Sequence, residues 1–311
     1  MRIVFMGTPE FSVPVLESLK AAGHEIAAVV TQPDKPKGRG GQVLMTPVKE
    51  KALKLGIPVY QPVKVRDPEF IEIFRQLSPQ VCVVVAFGQI LPKALLEIPP
   101  YGCVNIHASL LPKYRGAAPI QWAVIDGEKE SGVTTMLMDA GLDTGDMLES
   151  EKVTLSADET GDSLHDKLSA IGARLILSTL RKLEDGTAIR TPQSEEGTCY
   201  AHMLEKSMGE IDWSRDAVSI ERLIRGLNSW PSAYTHLNGK TLKIWKAAVL
   251  SEDPEGAPGE IIRSGKEELV VRTGKGCLSL LEVQLEGKKR MEIAAFLRGY
   301  PLAAHTCLER S

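Results

Sequence analysis

The sequence has no long apolar run, and it lacks the cysteine pattern of proteins that are stabilised by disulfides or by structural zinc. Its longest apolar stretch, residues 81–87, is far shorter than the roughly 20 residues needed to span a bilayer. The five cysteines, at positions 82, 103, 199, 277 and 307, are odd in number and form no Cys-x-x-Cys pair, which argues against a disulfide framework and a cysteine-rich zinc site. We therefore expect a cytoplasmic protein with free thiols, no membrane partner and no bound metal.

Several catalytic and nucleotide-binding signatures are also missing. There is no Gly-x-Ser-x-Gly, no Gly-x4-Gly-Lys and no His-Glu-x-x-His. The first turn reads Gly7-Thr8-Pro9, so only one glycine of a dinucleotide-binding turn is present, and Pro9 removes a backbone N–H that could bind phosphate. A nicotinamide cofactor is therefore not expected. The net charge of −3 gives no overall nucleic-acid footprint, so a phosphate-rich partner would have to be bound by local patches.

The pattern along the chain predicts two domains. Apolar strand-like segments at 2–6, 25–31, 57–60 and 81–87 alternate with helical patterns at 14–22, 47–55, 67–77 and 162–183, which is typical of a doubly wound, Rossmann-like α/β domain. The continuous apolar run at 81–87 suits a central strand of a parallel sheet. Short strands near 233–238, 241–250, 259–263, 268–273 and 277–285 then predict a small barrel or sandwich, of which we expect a β-barrel of the OB type. We predict a catalytic domain over 1–187, a linker over 188–207 and a C-terminal β-barrel over 208–311.

The pattern of one pair of residues indicates a catalytic site. If 104–108 is a strand, Asn105 and His107 point to the same face, because side chains alternate with a period of two. An amide and an imidazole side by side can stabilise an oxyanion and handle a proton. The loop at 138–146 offers three aspartates, at 139, 143 and 146, any of which could orient the imidazole. The pattern alone leaves open which acid does so, and a hydrogen-bonded core histidine is the commoner alternative.

Two further segments are basic. The loop at 34–42 interleaves Lys35, Lys37 and Arg39 with three glycines and a proline, and it follows the second strand. Ligands of open α/β sheets bind beyond the carboxyl ends of strands, so this loop could clamp a phosphate-rich partner, although a solvated surface loop has the same composition. The second segment is a C-terminal strand that carries Lys240, Lys243 and Lys246 among apolar residues, either as a backbone-binding patch or as a solvated face.

Taken in order, these segments resemble the folate-dependent formyltransferases. The resemblance runs through residues 7–11, 35–42, 86–92, 105–112, 113–121 and 139–145, and the second domain continues it. It implies that Asn105, His107 and Asp143 are the catalytic residues. It also implies a folate-binding set made of Phe87, Gln89, Ile90, Leu91, Ser109, Leu110, Leu111, Pro112, Asp139 and Ala140. Phe87 stands where relatives often have tyrosine, so no hydroxyl is available there.

The resemblance further implies a reaction. We expect the formyl group of 10-formyltetrahydrofolate, the co-substrate, to pass to the α-amine of methionyl-initiator tRNA in translation initiation. The tRNA would be bound by Lys35, Lys37, Arg39, Lys240, Lys243 and Lys246, and the enzyme would act as a monomer. Formyl transfer to a small amine, such as a sugar nucleotide or glycinamide ribonucleotide, hydrolysis of the same carrier and a non-catalytic RNA-binding role are the alternatives. The second domain and the basic loop favour the tRNA substrate over a small one.

Overall fold

The computed structural model describes residues 1–37 and 42–309, and of Pro36, Lys37 and Gln42 it describes the backbone alone. These residues form two compact units. The first consists of Met1–Pro119, Glu130–Thr154 and His165–Ala201, and the second of Ile120–Lys129, Leu155–Leu164 and the described residues from His202 onward. The chain therefore passes between the units more than once. The domain limits at 187 and 207 stay predictions.

The first unit alternates strands and helices. Its strands are β1 Arg2–Gly7, β2 Glu25–Val30, β3 Lys35–Lys37, β4 Gln42–Leu44, β5 Val59–Tyr60, β6 Val81–Val85, β7 Cys103–His107, β8 Arg115–Gly116, β9 Glu130–Leu137, β10 Met147–Thr154 and β11 Tyr200–Ala201. Its helices are α1 Val13–Ala21, α2 Pro47–Lys54, α3 Pro68–Gln76, α4 Lys93–Leu96 and most of α6 Gly161–Glu184, while α5 Pro119–Ile125 belongs mainly to the second unit. The predicted helices lie within two residues of these bounds. The short strands β3, β4, β8 and β11 were not predicted, nor were β10, α4 and α5.

Seven strands form one sheet in the order β10-β9-β7-β6-β1-β2-β5. Neighbours from β7 to β5 run parallel, and the predicted central strand, β6, is fully buried in the middle of the order. The Rossmann-like prediction is thus confirmed. The expectation of a parallel sheet missed one edge, since β9 runs antiparallel to β7 and β10 antiparallel to β9. Because β9 reverses direction, the loop that follows it returns beside β7.

Strand β7 sends alternate side chains to opposite faces of the sheet. A Cβ added to Gly172 of α6 would lie 3.0 Å from Ile106, so this helix covers the Ile106 face closely. On the other face, Cys103 belongs to an apolar cluster with Phe74 of α3 and Leu95 of α4. The two-residue period places Asn105 and His107 on this second face, beyond Cys103. The fold therefore presents both polar side chains together, as the sequence predicts.

The second unit contains an antiparallel sheet. Its elements are α7 Ala217–Gly226, β12 Ala233–Leu237, β13 Lys240–Leu250, β14 Ile261–Ser264, β15 Leu269–Arg272, β16 Cys277–Leu285, β17 Met291–Glu292 and α8 Ile293–Gly299. The strand order is β12-β13-β16-β15-β14, and β17 pairs with β16. Residues 305–309 bond to both edges, because His236 and Glu309 exchange backbone hydrogen bonds while Leu308 donates to the carbonyl of Gly259 at 2.8 Å. This segment joins the two edges as in a barrel, which agrees with the predicted architecture.

All five cysteines are free thiols, and Cys82, Cys103 and Cys277 are buried. Within 1–37 and 42–309, no helix combines the length and apolarity that crossing a membrane requires.

Candidate active site

Asn105, His107 and Asp143 meet on the polar face of β7. The Nδ2 atom of Asn105 donates to Oδ1 of Asp143 at 3.4 Å, and the Nδ1 atom of His107 lies 3.7 Å from Oδ2 of the same carboxylate. The second distance is within ion-pair range but longer than a hydrogen bond. Asn105 and His107 are 9% and 6% exposed, so the cluster is largely shielded from water while Asp143 keeps some solvent contact.

The two ring nitrogens of His107 have different partners. Nε2 lies 2.8 Å from the carbonyl oxygen of Tyr114. Because a carbonyl can only accept a hydrogen bond, Nε2 must carry a proton. Nδ1 is therefore the ring atom that faces Asp143, and it is the one available to take or release a proton.

Asp143 lies in a tight turn within the loop at 138–146. Asp143 adopts a left-handed backbone conformation, with φ of 53°, and its Oδ2 accepts a hydrogen bond from the backbone N–H of Gly116 at 2.8 Å. Asp139 has a different environment, since its Oδ1 accepts from the Gly141 N–H and from the Thr144 hydroxyl within the loop. Of the three acids that the sequence left open, Asp143 is the one that the structure places beside His107.

The turn after β7 holds the Tyr114 carbonyl in place. The Ser109 hydroxyl donates to the carbonyl of Lys113 at 2.6 Å, and the Thr134 hydroxyl donates to the carbonyl of Ser109 at 2.7 Å. Thr134 also accepts from the Leu111 N–H at 3.1 Å and lies opposite His107 in the β7–β9 register. Sequence reasoning missed Thr134. Thr134 is one of two adjacent buried threonines in β9, and its residue type alone carried no signal.

A segment late in the first unit also borders the site. β11 pairs in parallel with β8, the N–H of Arg115 donates to the carbonyl of Cys199, and the N–H of Tyr114 lies 3.2 Å from the Cys199 sulfur. The interval that the sequence suggested to be a linker therefore contributes contacts to the turn that carries Tyr114. No sequence pattern pointed to these contacts, because they join residues about 85 positions apart.

In the described part of the chain, no group of three histidine, cysteine or acidic side chains is arranged to hold a metal ion.

The comparisons with known proteins identify the family of this chain. Residues 1–180 match the family model described as formyl transferase, and residues 203–301 match that of the formyl transferase C-terminal domain. The chain belongs to the formyl transferase family.

Two curated relatives extend along nearly the whole chain. The methionyl-tRNA formyltransferase of Agathobacter rectalis is 60% identical over 299 residues, which is 96% of each chain. That of Citrifermentans bemidjiense is 55% identical over 302 residues, covering 97% of this chain and 94% of the relative. Among solved structures, an N-formyltransferase from Helicobacter canadensis with folinic acid and dTDP-3-aminofucose has a TM-score of 0.65 at 17% identity, covering 93% of this chain and 99% of that one. At this identity the structural likeness concerns the fold.

In this formyl transferase, the segment after β6 combines buried and exposed side chains. Phe87 and Leu91 are 2% and 3% exposed and belong to the apolar cluster on the β7 face that carries Cys103, whereas Ile90 is 83% exposed. The side chain of Gln89 is engaged within the protein, because it accepts from the Val65 N–H at 2.9 Å and donates to the carbonyl of Pro62 at 3.2 Å. The contact of Gln89 with folate stays a prediction, since an amide bonded at these two points still has a second N–H.

The other predicted folate-binding residues lie in the turn that follows His107 and in the loop that carries Asp143. Ser109 and Leu111 are buried in the turn after β7, and Leu110 and Pro112 are half-buried there. Asp139 and Ala140 are exposed in the loop after β9. The structure thus places these two segments next to Asn105, His107 and Asp143 within the first unit.

The structure describes some of the predicted basic residues of the first unit and not others. Lys35 is exposed on β3, which pairs with β4; of Lys37 only the backbone is described, and Arg39 lies outside the described residues. The base of this hairpin is anchored by Asp34, whose carboxylate accepts hydrogen bonds from Lys49 and from Gln61. Lys49 is the larger of the two causes that hold the pKa of Asp34 below its ordinary value.

The three lysines of β13 lie in the second unit. Lys240 and Lys246 are exposed, and Lys243 is half-buried with its ammonium 5.6 Å from the ring of Trp245. The guanidinium of Arg290 lies 4.6 Å from the same ring. Register irregularities flank Lys246 in its pairing with β16, so strict alternation does not continue along the strand. The cationic and aromatic residues named here, Lys240, Lys243, Trp245, Lys246 and Arg290, are together called the β13 patch below; Arg290 is also paired with Glu282 at 2.5 Å.

Proposed function

We propose that this chain transfers the formyl group of 10-formyltetrahydrofolate to the α-amine of methionyl-initiator tRNA. The observation that carries the proposal is the convergence of an amide donor, an imidazole and a carboxylate on the shielded face of β7. The near full-length identity to methionyl-tRNA formyltransferases supports the choice of acceptor.

The chemistry requires donors at one oxygen and a path for one proton. The neutral amine attacks the formyl carbon, so a C–N bond to the amine forms and the bond from that carbon to N10 of the folate breaks. The amine loses a proton and the leaving nitrogen gains one, which balances the exchange. Negative charge collects on the formyl oxygen in between, and each well-placed donor there lowers the barrier by about 3–4 kcal/mol.

Asn105 and His107 supply those donors in this proposal. One amide N–H of Asn105 is directed to Asp143, which leaves the second for the formyl oxygen. Since Nε2 of His107 is bonded to the Tyr114 carbonyl, donation or proton uptake from this ring must occur at Nδ1. Asp143 orients both groups and would pass the proton between the two nitrogens, with water as the carrier.

The donor folate would bind between the loop after β6 and the loop after β9. Phe87 and Leu91 would form an apolar floor, Ile90 and Ala140 would contact the ring from the exposed side, and the turn at 109–112 would close the end nearest His107. The side chain of Gln89 would also shape this pocket by bonding the segment at 62–65.

A formylation assay tests the proposal. Purified protein would be given 10-formyltetrahydrofolate with methionyl-initiator tRNA, methionyl-elongator tRNA or an amino-sugar nucleotide, and the product amine would be identified by mass spectrometry. We expect N-formylmethionine on the initiator tRNA and far slower transfer to the other acceptors. Absence of N-formylmethionine, or preferred formylation of the sugar nucleotide, would contradict the assigned acceptor.

A cytoplasmic location and a monomeric state also belong to this proposal. Cell fractionation and sedimentation would test them. A membrane-bound fraction or a stable dimer at micromolar concentration would overturn the corresponding part.

A further inference from the structure

The loop that carries Asp143 is held by a side chain from a distant part of the first unit. The Nε2 atom of Gln193 lies 2.8 Å from the carbonyl oxygens of both Asp143 and Gly145. It also lies 3.8 Å from the sulfur of Met136, on the strand that precedes the loop. One amide group thus spans the two ends of the turn at 143–145.

The other end of the Gln193 side chain is fixed by a buried arginine. Its Oε1 accepts from Nε of Arg115 at 3.0 Å, and Arg115 is only 2% exposed. Arg115 also lies 3.5 Å from the exposed carboxylate of Glu195. A buried guanidinium is costly unless its N–H groups are bonded, so Arg115 gives Gln193 a defined position and orientation.

Arg115 directly precedes Gly116, whose N–H donates to the Asp143 carboxylate at 2.8 Å. Gln193 therefore connects the backbone of Asp143 to the segment that bonds its side chain. Hydrogen bonds therefore hold both the backbone and the side chain of Asp143. Gln193 is about 50 positions from Asp143 in sequence and about 78 from Arg115.

The conformation of the loop explains why such a link is needed. Asp143 has φ of 53°, in the left-handed region that costs a residue with a side chain on the order of 1 kcal/mol or more. A Cβ at Gly145 would lie 1.7 Å from the carbonyl oxygen of Leu137, so the chain is tightly folded there. A strained turn keeps one conformation only when its surroundings hold it.

We propose that Gln193 is a positioning residue, which keeps the carboxylate of Asp143 directed at His107 and Asn105. It acts through Asp143 and touches no reacting atom. The inference rests on the proposed function for its catalytic consequence, whereas the loop-holding role stands on geometry alone.

Two variants separate the contacts of Gln193. Gln193→Ala removes all of them, while Gln193→Glu keeps an oxygen for Arg115 but has no N–H for the two carbonyls. Gln76→Ala is the matched control, since Gln76 is an exposed glutamine on α3.

The first measurement is hydrogen exchange followed by mass spectrometry on the free protein. We expect both Gln193 variants to raise exchange of the amides at 139–146 by tenfold or more, and Gln76→Ala to leave it unchanged. Unchanged exchange in both Gln193 variants would overturn the inference, whatever reaction the protein catalyses. Raised exchange in the variants, together with a wild-type protein that fails to formylate methionyl-tRNA, would support the loop-holding role and reject the proposed function.

The second measurement is kinetic. We expect kcat to fall roughly 10- to 100-fold in both Gln193 variants, because a displacement near 1 Å at a catalytic group costs about that much. The KM values should change less than threefold. In a double variant with Asp143→Asn, either Gln193 substitution should lower kcat by less than a further factor of about two. The effects should not multiply, because both changes act through the carboxylate of Asp143. Losses that multiply in the double variants would overturn the assignment of Gln193 as a residue acting through Asp143.

Discussion

At the scale of single residues, His107 shows how one backbone carbonyl defines a side chain's chemistry. The Tyr114 carbonyl holds the proton on Nε2, and Nδ1 is thereby directed to Asp143 and to the exposed side of the cluster. The carbonyl in turn depends on Ser109 and Thr134, which bond the turn from inside. The tautomer of this histidine is therefore a property of the turn at 109–114.

This arrangement predicts the outcome of His107→Asn. The variant loses the ring nitrogen that faces Asp143, so the donor at the formyl oxygen and the proton route disappear together. We expect kcat to fall by about 10²- to 10⁴-fold. The affinity for methionyl-tRNA should change less than threefold, because the buried ring offers no surface to a macromolecule. Stopped-flow single turnover and filter binding measure the two quantities.

His165→Asn is the control for that experiment. His165 also lies beside an aspartate, with Nδ1 3.0 Å from Asp166, but it is on α6 outside the site. It should keep wild-type kcat. Equal losses of turnover and tRNA binding in His107→Asn would show instead that His107 maintains the structure.

At the scale of elements, the antiparallel edge formed by β9 and β10 carries the loop that holds Asp143, the third of the proposed catalytic residues. β10 is attached to α6 through Glu149, which accepts from Ser178 at 3.0 Å, from Thr179 at 2.6 Å and from Lys182 at 2.6 Å. Thr179 also bonds Thr135 of β9 at 2.9 Å. This network fixes the edge strands against the helix and so supports the loop between them.

The hydrogen bonds of Glu149 predict how the stability of the fold depends on pH. Burial raises the pKa of the Glu149 carboxyl, but the hydrogen bonds from Lys182, Thr179 and Ser178 outweigh that effect, and the pKa lies below its ordinary value of 4.5. A carboxyl with a lowered folded-state pKa stabilises the fold above the unfolded pKa and loses that contribution as the pH falls. Glu149→Gln should thus lower the free energy of unfolding at pH 7 by about 1.5–3 kcal/mol, and the difference from wild type should shrink below pH 4.5.

Urea unfolding between pH 7 and pH 3 measures this difference. Glu130→Gln is the control, because Glu130 forms an exposed pair with Lys152 at 3.3 Å and such pairs contribute little. If Glu149→Gln lowered the free energy of unfolding by the same amount at pH 3 as at pH 7, the charge of Glu149 would not be the cause of the loss.

At the scale of the whole molecule, each unit has its own sheet and its own chemistry. The proposed catalytic cluster lies in the first unit, and the β13 patch lies in the second. The patch combines cationic side chains with an aromatic ring, a composition that suits contacts with a nucleic-acid backbone and with unstacked bases. A substrate as large as a tRNA can use such a surface, whereas a small amine cannot.

Removing the lysines of the patch should change the salt dependence of tRNA binding. In the variant with Lys240, Lys243 and Lys246 all replaced by alanine, we expect weaker binding and a less steep plot of log K against log salt. The slope should fall by about 0.7–0.9 for each phosphate that the variant no longer neutralises. Arg263→Ala is the control in the same unit, because its guanidinium is already paired with Glu252 at 2.6 Å and Glu268 at 3.1 Å. A slope unchanged in the lysine variant would identify these lysines as solvated surface.

Apolar periodicity and turn residues are local signals, so the sequence was enough to predict the two architectures and the shared face of Asn105 and His107. The antiparallel edge was not predictable, because β10 carries three charged residues and no regular apolar alternation, and because strand direction depends on where a connection returns. Asp143 could be preferred over its neighbours only through family resemblance. Tertiary structure alone decided that Tyr114 would hold the His107 proton and that Arg115 and Gln193 would meet the Asp143 loop. These contacts join residues far apart in the chain, and the short-range patterns of a single sequence carry no information on such pairings.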